Sequence, residues 1–63
     1  MAYYANRNTL ENYIADAIAN LDSAMFEAGE LGMDGLEAAL KKRFDELSNL
    51  EDKLNNGVFD QNW

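Results

Sequence analysis

Gly29-Glu30-Leu31-Gly32-Met33-Asp34-Gly35 decides how this chain folds, because it is the one break between two long amphipathic runs. It holds three of the four glycines, and the chain has no proline. Glycine ends helices by adopting left-handed backbone that other residues avoid. A break of this length suits an antiparallel helix pair. Gly29 is the expected stop of the first run. Leu31 and Met33 are expected to fold inward and close the end of the core.

On the N-terminal side of the break, apolar residues fall at Leu10, Tyr13, Ile14, Ala17, Ile18, Leu21, Met25 and Ala28. This i, i+3, i+4, i+7 spacing is one face of an α-helix. Asn8 is a capping residue type, and Glu11 three positions later completes a capping-box pattern. Before it, Met1 to Arg7 has no helical period, and Tyr3 and Tyr4 sit in an arm that frays or packs back.

On the C-terminal side, Leu36, Leu40, Phe44, Leu47, Leu50 and Leu54 form a second apolar face. Asp34 with Glu37 repeats the capping-box spacing. Glu37 and Lys41 have the i, i+4 spacing of a favourable ion pair. Asn55-Asn56-Gly57 ends this helix, with Val58 placed for a Schellman ending. The tail from Phe59 to Trp63 carries two aromatics with no helical pattern.

The reading is therefore all-α: an antiparallel two-helix hairpin able to dimerise into a four-helix bundle. Its expected parts are an arm (1–8), a first helix (about 9–28), a loop (29–34), a second helix (about 35–55) and a tail (56–63). Sixty-three residues make one domain, and so short a chain buries little surface. Disulfides or metals often compensate. This chain has neither Cys nor His, which leaves self-association or a partner. No apolar run approaches the roughly 20 residues of a membrane span, and no signal-peptide pattern opens the chain. A cytoplasmic location is the expectation.

Composition argues against catalysis. General acid–base chemistry draws most often on His, which is absent, and there is no Cys nucleophile. Ser23 and Ser48 have no imidazole to activate them. Acid pairs such as Glu27 with Glu30 or Glu51 with Asp52 lack the spacing of a calcium loop. Without His, the Glu-x-x-His metal motif of helical bundles cannot form. The expectation is a non-enzyme with no catalytic residues, metal or cofactor.

Charge is distributed unevenly. From Asn8 to Leu40 there are seven acids and no base, namely Glu11, Asp16, Asp22, Glu27, Glu30, Asp34 and Glu37. Lys41 to Trp63 carries four bases and five acids, so the first helix and loop hold almost all of the net charge of −7. Such a surface argues against direct nucleic-acid binding and against anionic membranes. It suits a protein partner with a basic surface. Imitation of DNA is a sparse fit for one chain. The duplex carries roughly 18 charges over 30 Å, against about five along the first helix.

Two further features concern contacts. At about 100° per residue, Ala15, Ala19 and Phe26 lie nearly opposite the Leu10–Leu21 face. Small side chains admit another helix closely, and an exposed aromatic is a common anchor. Tyr3, Tyr4 or Trp63 folding over Phe26 is a competing use of that aromatic. Arg43 falls inside the apolar face of the second helix. Its stem is expected against Ala17, Asn20 and Ala24, with the guanidinium reaching Asp16, as a structural ion pair, or Asn20; the alternative is a device that fixes register in a dimer, with a carboxylate of the second chain receiving it.

The expected partner-binding residues are Glu11, Ala15, Asp16, Ala19, Asp22, Phe26, Glu27 and Glu30. The leading expectation is a small acidic inhibitor or modulator docking on a basic surface of a larger protein, such as one that holds nucleic acid. By size and charge alone this compares with phage or plasmid anti-restriction and anti-CRISPR proteins. The alternative is a scaffold subunit acting through self-association as a homo-oligomer.

Overall fold

The computed structural model describes residues 5–59. Two helices, α1 (Arg7–Glu30) and α2 (Asp34–Asn55), pack antiparallel as a hairpin, with no strand among the described residues. Tyr3, Tyr4 and Trp63 lie outside the described residues.

α1 starts two residues earlier than its sequence suggests. Asn6, in extended backbone, caps it: its side chain accepts from the Thr9 N–H at 2.8 Å. Asn8 lies inside the first turn. Both asparagines suit a cap. The earlier start puts Arg7 on the helix, where it reaches the far end of α2.

The other end also runs two residues longer. Gly29 stays helical, and Gly32 takes the left-handed conformation at φ 74°. Gly32 N–H bonds Gly29 C=O at 3.1 Å and Met33 N–H bonds Ala28 C=O at 2.9 Å, the two bonds of a Schellman turn. Gly29 serves close approach instead. A methyl group there would sit 2.9 Å from Glu37 Oε2 on α2.

Only Leu31–Met33 connect the helices. The Schellman turn occupies this short link, so Leu31 (72% exposed) and Met33 point away from the core rather than closing it. Met33 precedes α2 directly, and its carbonyl accepts from Glu37 N–H at 2.9 Å. Asp34 is the first helical residue and no side chain caps this end. Glu37 leans over Gly29 instead, while Lys41 pairs with Asp45 at 3.4 Å rather than with Glu37. At the end of α2 the expected Schellman bonds form, from Val58 N–H to Lys53 C=O at 2.9 Å and from Gly57 N–H to Leu54 C=O at 3.2 Å. Gly57 has φ 79°.

The seam between the helices is narrow. α1 turns Ile14, Ile18, Leu21, Met25 and Ala28 toward α2, with Ala24 half-buried at the edge of the seam, and α2 answers with Leu40, Phe44, Leu47, Ser48, Glu51 and Leu54. Of these only Ala28 (3% exposed) and Leu54 (8%) are buried. Leu10, Tyr13, Leu36 and Leu50, expected in the core, remain exposed. Two cylinders touch along one line, so a hairpin covers only the innermost rows of each apolar face. The molecule is a slab of 44 × 27 × 15 Å. Its radius of gyration, 14.8 Å, exceeds the about 11 Å of a compact chain of this length.

Candidate protein-binding groove

Beside the helix seam runs an open groove of about 410 Å³, lined by Ala15, Ile18, Ala19 and Asp22 of α1 and by Phe44 and Glu51 of α2. The periodicity of each helix explains it. Ala15 and Ala19 have side chains too short to reach across to α2, so a channel opens between the helices above Ile18 and Phe44. Asp22 and Glu51 supply carboxylates within that otherwise apolar lining.

The groove contains three of the expected contact residues, Ala15, Ala19 and Asp22. It does not place them on the back of α1. Ile18 and Met25 turn toward α2 while Leu10 and Tyr13 turn out, and this rotation brings the alanine strip to the edge of the seam. Phe26 (66% exposed) is not part of the lining. Asp16, Glu27 and Glu30 are exposed residues outside the groove. Glu11 is engaged by Arg7 Nε at 3.0 Å.

Arg43 does not meet Asp16. Its Nη1 bonds Glu46 Oε1 on its own helix at 2.8 Å, and its side chain is 67% exposed. The i, i+3 partner is within reach without bending the long stem across the seam.

The contribution of α2 escaped the sequence reading. Glu51 follows Phe44 by seven residues, so it shares the inward row of α2 with that ring. A carboxylate in an apolar heptad row is the signal that could have found it.

Electrostatically the cations are mostly consumed at home. Arg7 pairs with Glu11, Lys41 with Asp45 and Arg43 with Glu46. Among the described residues, Asp16, Asp22, Glu27, Glu30, Glu37, Glu51 and Asp52 make no ion pair. No helix of the described residues is long and apolar enough to cross a membrane. No family model, curated protein or solved structure matches the chain.

Proposed function

We propose that this is a non-enzymatic binding protein that inhibits or modulates a larger protein by seating its acidic groove on a basic surface. The observation that carries this reading is the groove itself. Its apolar floor of Ala15, Ile18, Ala19 and Phe44 is accompanied by the carboxylates of Asp22 and Glu51, neither of which has a cation partner among the described residues.

An open channel takes a ridge of side chains better than an enclosed small molecule. The fitting occupant is a helix or extended segment carrying one or two aliphatic groups with Lys or Arg beside them. Charge of this kind raises the association rate and selects partners by sign more than it adds affinity. Basic surfaces that hold nucleic acid, such as the channels of restriction or CRISPR effectors, are of this chemistry. Anti-defence proteins of phages and plasmids act on such targets, and this chain has a suitable size and charge.

The test is affinity capture with the full chain and with a variant carrying Ala19→Lys and Asp22→Lys, both in the groove lining. These side chains are exposed and make no ion pair among the described residues, so circular dichroism should show the fold intact. A basic protein retained by the parent chain and lost by the variant supports the reading. Equal retention of the same proteins by both chains refutes it.

A further inference from the structure

We propose that the face of the hairpin opposite the groove seats a second copy of this chain, giving a two-layer helical bundle with twofold symmetry. The contact between Glu37 and Gly29 settles which edge of α2 adjoins which edge of α1. Glu37 lies on the same side of the seam as the groove. At about 100° per residue the other edges are then determined. Leu10, Tyr13, Ala17 and Ala24 run along α1 on the far side. Leu36, Arg43 and Leu50 run beside them on α2. Leu10 and Tyr13 are exposed, and Leu36 and Leu50 are each nearly half exposed at 45% and 46%.

The charges identify the occupant. A twofold interface sets each patch against the same patch of its partner, so a face bearing uncompensated carboxylates repels its own copy. The apolar rows of the far face bear none among the described residues; Asp16 and Glu27 stand at its outer rim on α1, about 60° and 40° beyond Tyr13. Its one cation, Arg43, is neutralised by Glu46 at 2.8 Å, toward the outer rim. The unpaired acids of α1 lie on the groove side or on the outer surface. Two copies meeting groove to groove would instead bring Asp22 and Glu51 against their own duplicates. In a chain of net charge −7, the neutral apolar face is where a copy fits and the acidic groove is where a basic protein fits.

Size and packing agree. The broad side of a 44 × 27 Å slab has room for the roughly 800 Å² per partner of a standard interface. A slab 15 Å thick with two buried residues among those described is a single layer, whereas domains enclose a core between layers. Ala17 and Ala24 permit close approach. The Arg43 stem can lie on the apolar row while its guanidinium stays at the rim with Glu46.

The experiment is sedimentation equilibrium of the full chain over a range of concentrations, joined to thiol labelling. The expected mass is that of two chains. Leu36→Lys with Leu50→Lys should return it to one chain, while Ala19→Lys in the groove should not. If the double variant unfolds, single cysteines decide, because the chain has none of its own. Alkylation of Leu50→Cys should slow as the protein assembles, and that of Ala19→Cys should not. A mass of one chain at every concentration overturns the proposal. So does a dimer that protects Ala19→Cys and leaves Leu50→Cys reactive. Neither measurement depends on the groove having a basic partner.

Discussion

The guanidinium of Arg7 donates a hydrogen bond of 2.7 Å to the backbone carbonyl of Leu54, joining the first residue of α1 to the last turn of α2. That carbonyl also accepts from Gly57 N–H at 3.2 Å. The last four carbonyls of a helix lack intrahelical donors and carry the negative end of its dipole. A cation at the start of its own helix is unfavourably placed by the same reasoning. Glu11, 3.0 Å away, offsets this. Arg7→Met should therefore lower stability by about 1 kcal/mol, the low end for a half-exposed charged group. Urea denaturation measures it. An unchanged midpoint would mean the link is not formed in solution.

Three glycines near the turn should respond to alanine in three ways. At Gly32, φ is 74°, so Gly32→Ala should cost about 1 kcal/mol in backbone strain. Around Gly35 a methyl group meets nothing within 4 Å, so Gly35→Ala should stabilise by about 0.5–1 kcal/mol. For Gly29→Ala the clash is with the flexible end of Glu37, which can swing away. A gain in helix propensity offsets that loss, and the net change should be near zero. Thermal melts of the three variants should rank Gly35→Ala highest and Gly32→Ala lowest.

Glu51 sets stability against binding. It occupies the inward row of α2, half-buried and without an ion pair among the described residues, and shares the groove lining with Asp22. Glu51→Gln should raise stability by a few tenths of a kcal/mol at low ionic strength, with the gain shrinking as salt is added. The same change should weaken capture of a basic partner. Loss of stability instead would show that the carboxylate has a favourable partner in solution.

Ala28 is the tightest point of the seam, at 3% exposure. Ala28→Leu should push the helices apart and cost about 1–3 kcal/mol. Leu54, the other buried residue, should cost about 2 kcal/mol on truncation to alanine, the low end for a core leucine because the seam is thin. Chemical denaturation at fixed protein concentration compares the two.

Much of the architecture was legible along the chain. Local spacing determines an amphipathic helix, because neighbours three and four apart share a face whatever lies opposite. Thus Ile14, Ile18, Leu21 and Met25 announced the seam of α1, and Leu40, Phe44, Leu47 and Leu54 that of α2. Asn55-Asn56-Gly57-Val58 announced its own ending, since a Schellman turn is built from adjacent residues. The acidity of α1 was legible as well.

Choices between equivalent local signals belonged to the tertiary structure. Asn6 and Asn8 suit a cap alike, as Gly29 and Gly32 suit a stop. Packing selected Asn6, which lets Arg7 reach Leu54, and Gly29 stays helical, where the Glu37 carboxylate of α2 leans over it. The same packing turned Leu10, Tyr13, Leu36 and Leu50 outward and Arg43 toward Glu46, because two cylinders in contact bury only their facing rows. It also moved Ala15 and Ala19 from a bare helix back to the wall of a groove with Phe44 and Glu51. Periodicity says which residues share a face. Only the second helix says which face is inside.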